Sequence, residues 1–503
     1  MSMRDPAALM HQHDKLPSDA WFASQPRGLS TLFFVELWER FSYYGMRALL
    51  VLFMVTPAIE GGLGLDTVKA ATLYGSYTMA VYMLSIPGGF IADRLLGARA
   101  AVLIGGSVIA LGHYALAIPA HTSFYAGLIL VALGTGLFKP NISVLVGALY
   151  APGDERRDAG FSLFYMGVNI GAFLAPLVTG FLAQSDWFRA WLGAHGFDPH
   201  TSWHWGFGAA GVGMTLALLI FAVRSRQLGN IGHRPTIAPG SWGKVFATVA
   251  GTAVLMGLAL VSDVEGLQGL RWLFVALPMA AIAWFAWRQD AGERRLAAVG
   301  VFFIASMLFW ALFEQAGLSI ALFAEKLTRN EAMGLSFPSS WFQSLNSLFV
   351  IALSPVFAWG WTHLGARQPS SAIKFALGLV FLAASFLLMV PAAQATIDGR
   401  VSPLWLVGLF FLQTVGELLL SPVGLSLMTR LAPAGLTGLV LGAWFLSSAF
   451  GNKLAGVLGS SFETQDPPAL AAFFLNQGLF VLAAALVLVF LAPWTRRLMG
   501  GVR

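Results

Sequence analysis

Long apolar runs recur from one end of the chain to the other, each closed by a cluster of charged, Gly or Pro residues. Crossing the hydrocarbon core of a bilayer takes roughly 20 apolar residues per helix. A segment in lipid must also satisfy its own backbone. The pattern therefore predicts an all-α polytopic membrane protein with about fourteen transmembrane helices, near 29–58, 68–92, 98–118, 121–150, 157–184, 202–223, 241–262, 270–288, 297–324, 338–362, 371–392, 402–431, 435–460 and 469–494.

Basic residues test that register, because cytoplasmic loops collect Lys and Arg. With the N-terminus inside, 20 of the 30 basic residues fall in cytoplasmic segments, among them Arg94, Arg99, Arg156, Arg157, Arg294, Arg295, Arg496 and Arg497. Lys69, Arg189, Arg271, Lys326, Arg329 and Arg400 fall outside, and Arg40, Arg47, Lys139 and Lys453 lie within helices. Both termini are then cytoplasmic, and the membrane is expected to be the cytoplasmic (inner) one. The first 28 residues, with His11, His13, Asp14 and Pro17, lack an apolar signal core and read as a cytoplasmic tail.

Composition agrees: 57% of the 503 residues are hydrophobic, 11% are charged, and mean hydropathy is +0.72. The net charge of +6 is spread singly and in pairs between apolar segments, a topological signature and not a nucleic-acid surface. With no cysteine, disulfides, thiolate catalysis and Cys-based metal sites are excluded.

A weak internal repeat runs through the chain. Leu96-Gly97-Ala98-Arg99 follows the second span and Leu364-Gly365-Ala366-Arg367 the tenth; Lys139-Pro140 and Ser421-Pro422 sit mid-helix in two segments that end in Ala-Pro, at Pro152 and Pro433. Two related six-helix bundles are expected, 29–223 and 297–494, between tails at 1–28 and 495–503. The linker 224–296 then holds an inserted two-helix hairpin, which carries almost no polar residue suited to burial and reads as peripheral. Pro87 should kink the second span.

Ionisable groups in a bilayer cost at least a few kcal/mol each, so each one demands a reason. The first span reads Glu36-Leu-Trp-Glu39-Arg40-Phe-Ser-Tyr43-Tyr44-Gly45-Met-Arg47; at about 3.6 residues per turn, Glu36, Arg40, Tyr44 and Arg47 share a stripe that must face a cavity. A buried carboxylate beside an arginine can be tuned to exchange protons near neutral pH. Lys139, Glu314, Glu417 and Lys453 follow, one to a helix; Lys139 and Glu417 sit where a proline weakens the helix ladder.

These residues carry a resemblance. Glu36 to Gly45 matches in full the E-x-x-E-R-F-x-Y-Y-G signature of the proton-dependent oligopeptide transporters. Phe164-Tyr165-Met-Gly-Val-Asn169-Ile-Gly171 is similar to a second signature, and Gly134 to Asn141, Phe342 to Asn346 and Gly416-Glu417 are further similar segments. Gly89 to Arg99 resembles the loop motif of the major facilitator superfamily, departing from it at Ala98. The resemblance covers about 29–494 and is closest to bacterial members, which share the inserted hairpin.

The resemblance implies the major facilitator fold and proton-coupled import of di- and tripeptides, and of peptide-like drugs, by alternating access. Protons would be the coupling ion, with no other cofactor and no metal, and the chain would act as a monomer in the lipid bilayer. Proton coupling would fall to Glu36, Glu39, Arg40 and Glu314. Arg40 and Lys139 would hold the peptide carboxylate and Glu417 the ammonium. Tyr43, Tyr44, Tyr82, Asn169 and Asn346 would bond the peptide backbone, with Ser421, Trp310, Trp444 and Ser448 lining side-chain space. Arg47 with Glu314 and Lys139 with Glu417 would be gating pairs.

Blander readings stand beside these. Trp310 and Trp444 can be packing residues, Asn169 and Asn346 interhelical glue, Asp93 and Arg94 loop supports, and Lys453 a snorkelling side chain. His113 and His121 read as surface or interface residues. Relatives that carry nitrate or other metabolites lose the two first-span glutamates, which are retained here. A membrane-embedded enzyme would need a His/Asp or His-Glu-x-x-His group at membrane depth, and the sequence has none. No phosphate-cradling Gly-x-x-x-x-Gly-Lys-[Ser/Thr] loop supports an ATP-driven pump. A peptide sensor that does not transport would look the same in its binding residues.

Overall fold

The computed structural model describes residues 18–19, 25–151, 154–236, 240–264, 267, 269–270, 273–287, 291–332, 334–432 and 437–500. Most of the expected N-terminal tail lies outside these residues, as do Arg271, Pro152, Pro433 and the last three residues. Almost all of the described chain is helical. The helices are α1 (Arg27–Val55), α2 (Thr67–Met83), α3 (Ser85–Ile91), α4 (Ala98–Leu116), α5 (His121–Gly147), α6 (Arg156–Gln184), α7 (Asp186–Ala194), α8 (Ser202–Arg224), α9 (Ser241–Val261), α10 (Leu273–Trp287), α11 (Ala291–Phe313), α12 (Ser319–Leu327), α13 (Ser344–Leu364), α14 (Ser371–Gln394), α15 (Leu404–Leu431), α16 (Thr437–Gly459) and α17 (Pro467–Leu498).

By length and composition, 11 of the described helical segments can cross a membrane. The remaining expected spans are α1, which carries Glu36, Glu39, Arg40 and Arg47; α16, which carries Asn452 and Lys453; and α10, whose apolar stretch Ala276–Phe285 is short. The fold class expected from the hydrophobic pattern is the one observed. The amphipathic α7, capped by the Ser185 hydroxyl accepting from the Phe188 N–H at 3.2 Å, is an addition that the spans alone do not reveal.

The chain divides into two compact units, Met1–Leu49 with Met83–Val254, and Leu50–Tyr82 with Leu255–Arg503. In the first unit α4 and α5 touch backbone to backbone. A Cβ on Gly134 would stand 2.5 Å from the Gly105 carbonyl oxygen, and one on Gly112 2.8 Å from the Val131 nitrogen. Small residues permit such approach where lipid offers no hydrophobic drive between helices. Pro140 has no N–H to give the Gly136 carbonyl, and Gly88 of α3 packs against that carbonyl. Asn141 supports the same bend through an Nδ2 donation to the Leu137 carbonyl at 2.7 Å. The kink expected from Pro87 is a break at Leu84, between α2 and α3, because Pro87 cannot donate to the carbonyl of Met83.

Both Leu-Gly-Ala-Arg loops turn on a glycine at positive φ, +80° at Gly97 and +47° at Gly365. In the first, Arg99 donates to the carbonyls of Ile231 and Gly229 at 2.5 and 2.6 Å, and Arg234 to that of Leu95 at 3.1 Å. His121 is exposed, as a surface residue should be, but His113 is fully buried, against expectation. Gly112 beside it lets α5 close over that turn, and neither ring nitrogen has a hydrogen-bond partner among the described residues.

In the second unit α14 meets α15 at Gly378 and Gly416, α11 meets α16 at Gly451, and α2 meets α16 at Gly75 and Gly456. The span expected over 297–324 is found over Arg294–Leu327 but is not a single α-helix. It breaks at Glu314–Gly317, a 3-10 turn between α11 and α12. The Gln315 Nε2 donates to the Ala455 carbonyl at 2.9 Å, and its Oε1 accepts from Ser319 at 2.6 Å. Two sequence readings of the hairpin region are corrected. Lys453 does not snorkel: it is 3% exposed and paired with Asp263, at the turn after α9. The hairpin also buries three polar residues where almost none was expected, Ser241, Thr252 and Ser262. Thr252 and Ser262 donate to their own helix carbonyls, a compensation invisible in hydropathy, whereas the Ser241 hydroxyl has no hydrogen-bond partner among the described residues.

Candidate functional site

The charged stripe on α1 is buried in the first unit. Its guanidinium, on Arg40, stands 3.1 Å from Glu36 Oε1 and 2.5 Å from Glu39 Oε2. Exposure is 5% at Glu36, none at Glu39 and 4% at Arg40, so this is a buried carboxylate–guanidinium–carboxylate cluster. Each glutamate keeps one oxygen, Glu36 Oε2 and Glu39 Oε1, without a hydrogen-bond partner among the described residues. The Arg40 guanidinium also lies 5.3 Å from the Tyr43 ring, and that of Arg47 5.8 Å from the Tyr44 ring. Lys139 lies on α5 of the same unit, directly before Pro140.

Close helix packing holds this cluster in place. Leu37, between the two glutamates, has its carbonyl oxygen where a Cβ on Gly171 of α6 would fall 2.1 Å away, and Gly45 lies against Thr179 of α6. The Thr179 hydroxyl donates to the Gly45 carbonyl at 3.1 Å. Gly45 and Gly171, the final glycines of the two sequence signatures, are thus where α1 and α6 touch. Asn169, buried two residues before Gly171, donates its Nδ2 to the Tyr165 carbonyl of its own helix at 2.9 Å.

The second unit holds a separate acidic site. Asn346 on α13 donates to Glu417 Oε2 at 2.9 Å and to Thr414 Oγ1 at 3.1 Å, both on α15. Thr414 was not singled out by sequence; its place three residues before Glu417, on one helix face, was the available signal. Trp444 packs over Gly424 and lies 6.1 Å from the Phe375 ring. Trp310 is edge-on to Phe309 and Phe313, with its indole nitrogen buried and without a hydrogen-bond partner among the described residues. Ser448 is buried and accepts from Asn452 at its carbonyl, whereas Ser421 and Tyr82 are half-buried. Glu314 is 2% exposed, in the break after α11.

The sequence-predicted residues therefore divide by unit. Glu36, Glu39, Arg40, Tyr43, Tyr44, Arg47, Lys139 and Asn169 belong to the first; Tyr82, Trp310, Glu314, Asn346, Glu417, Ser421, Trp444 and Ser448 belong to the second. Each expected gating pair has one member in each unit.

Comparison with known proteins places the chain. The family described as "PTR2: POT family" matches residues 99–470. The chain is 39% identical to the peptide transporter YePEPT of Yersinia enterocolitica, over 98% of this chain and 99% of that protein. It is 36% identical to a di-/tripeptide transporter of Lactococcus lactis, with 96% and 98% covered. A crystal structure of a peptide transporter POT variant in complex with alafosfalin superposes with a TM-score of 0.85 at 40% identity, covering 99% of this chain and all of that one. By sequence, fold and the ELWERFSYYG helix, this chain belongs to the POT family of membrane transporters and is not an enzyme.

Proposed function

We propose that this protein imports di- and tripeptides across the cytoplasmic membrane together with protons, by alternating access and as a monomer, with both termini in the cytoplasm. Peptide-like drugs share the recognised backbone and ends. The observation that carries this reading is the buried Arg40, gripped by Glu36 and Glu39, each with one buried carboxylate oxygen that has no hydrogen-bond partner among the described residues. A proton arriving at either glutamate weakens its hold on the guanidinium, which then takes the peptide carboxylate with Lys139. Loss of the proton returns Arg40 to its carboxylates and releases the substrate. Substrate and proton favour each other by linkage.

Glu417, oriented by Asn346, takes the peptide ammonium. Tyr43, Tyr44, Tyr82, Asn169 and Asn346 serve the peptide backbone, and Trp310, Trp444, Ser421 and Ser448 its side chains. Glu314 joins the proton path, Arg47 with Glu314 and Lys139 with Glu417 gate the cycle, and the chain works as two six-helix bundles, 29–223 and 297–494. One proton crossing is worth about 2.3 kcal/mol per 100 mV, enough for accumulation of tens-fold at ordinary potentials. No other cofactor is required.

Uptake of labelled dialanine into proteoliposomes, with and without an inward proton gradient, tests this reading. Unaltered protein should concentrate dialanine only with the gradient. Glu39→Gln should lose that drive and keep exchange across equal solutions; no dialanine movement under any gradient would overturn the peptide assignment.

A further inference from the structure

One buried ion pair, Lys453 with Asp263, has no part in the site assigned above. Lys453 sits nearly two turns before the end of α16 and donates to the Asp263 carboxylate of the hairpin tip and, at 3.0 Å, to the Ser76 hydroxyl of α2. Ser76 in turn donates to Asp263 Oδ2 at 3.4 Å. An ammonium 3% exposed, paired with a carboxylate whose side chain is 17% exposed, is costly to desolvate, and a buried charge in a transporter helix marks a working part more often than packing.

Beside this triad the backbones of α2 and α16 touch: a Cβ on Gly75 would stand 2.8 Å from the Gly456 Cα. By chain order α2 is the second helix of the first expected half and α16 belongs to the second half. Alternating access moves such halves against each other, so a contact between these two helices has to open and close. Lower down, the hairpin leaves an apolar cavity of about 360 Å3 against α11 and α16, lined by Leu258, Leu277, Phe285, Phe303 and Phe450 among others. The hairpin thus packs on α11 through its second helix, and its tip holds a polar tie to α2 and α16 together.

We propose that the inserted hairpin is a gating element: Asp263 is a clasp that binds Lys453 and Ser76, holds α2 against α16, and must release once in each transport cycle. This rests on the transport reading above. A static anchor would make the same contacts but would never need to open.

The chain contains no cysteine, so an introduced pair can be cross-linked without background. Asp263→Cys with Lys453→Cys removes both charges together, leaving no lone buried ion. Bridging the two with a short, reducible bis-methanethiosulfonate linker should abolish dialanine exchange, and reduction should restore it. Undiminished exchange by fully bridged protein would overturn the clasp. Failure of the unaltered protein to move dialanine would instead count against the peptide reading. The clasp is then read without transport, by maleimide reaction at Ser76→Cys in the full chain. That cysteine should react roughly ten-fold faster when Asp263→Asn is added, and equal rates would overturn the clasp.

Discussion

Gly171 on α6 faces the Leu37 carbonyl of α1 with no room for a methyl group, since a Cβ there would stand 2.1 Å from that oxygen. The obstacle is backbone, which cannot rotate away, and it lies between the two glutamates of the α1 cluster. Gly171→Ala should therefore push α1 and α6 apart, costing about 1–3 kcal/mol as overpacking does, and should depress gradient-driven uptake. Gly147→Ala is the control, because its Cβ would meet nothing nearer than the Phe161 ring at 3.6 Å. Melting temperature and uptake of the two purified variants decide it; equal behaviour would show that the close contact is not needed.

The Arg40 fork serves two carboxylates at once. A lysine ammonium is compact and cannot bridge both in one plane. Arg40→Lys should lose gradient-driven accumulation of dialanine and raise the KM for exchange by about ten-fold or more, the effect of about 1.4 kcal/mol. A variant with unaltered KM and coupling would remove Arg40 from the centre of the mechanism.

The first-helix cluster was legible in sequence because charge is costly in lipid: four ionisable residues within one span admit few explanations. The break at Glu314 was not legible, since no proline marks it and Gln315 finds its partner on Ala455, 140 residues away. The Asp263–Lys453 pair was hidden in the same way, its members separated by 190 residues and each reading alone as a loop or snorkelling residue. Glycines were visible but mute: the letters do not say whether Gly171 bends a helix or admits a neighbour. His113 misled because a histidine without charged neighbours in sequence reads as surface, whereas burial is decided by what packs across from it.

Asn346 spends its amide hydrogens on Glu417 and Thr414. A hydrogen bond to a charged group is worth about 1.5–3 kcal/mol, and without it Glu417 loses its orienting donor. Asn346→Ala should raise the KM for dialanine by about ten-fold, with a smaller rise for a substrate that lacks the α-ammonium. Initial-rate uptake over a range of concentrations measures both, and an equal rise for the two substrates would count against Glu417 as the ammonium site.

Tyr150 lies outside the spans, in the loop after α5, where its hydroxyl donates to Gln25 Oε1 at 2.9 Å and abuts Gly160. Burial, then the nearby Asp154 carboxylate, pushes this phenol up to about 12 from an ordinary value of 10. The folded state thus holds the proton more tightly than the unfolded chain. That preference contributes stability in full below pH ~10 and is lost as pH rises toward ~12. In the unaltered protein, stability should fall steeply across that window as the phenol ionises. Tyr150→Phe cannot ionise, so it should be less stable at neutral pH through loss of the Gln25 bond yet show a shallower decline in alkali. Thermal melting at stepped pH measures the two slopes; parallel curves would mean that the Tyr150 proton does not contribute to the stability of this loop.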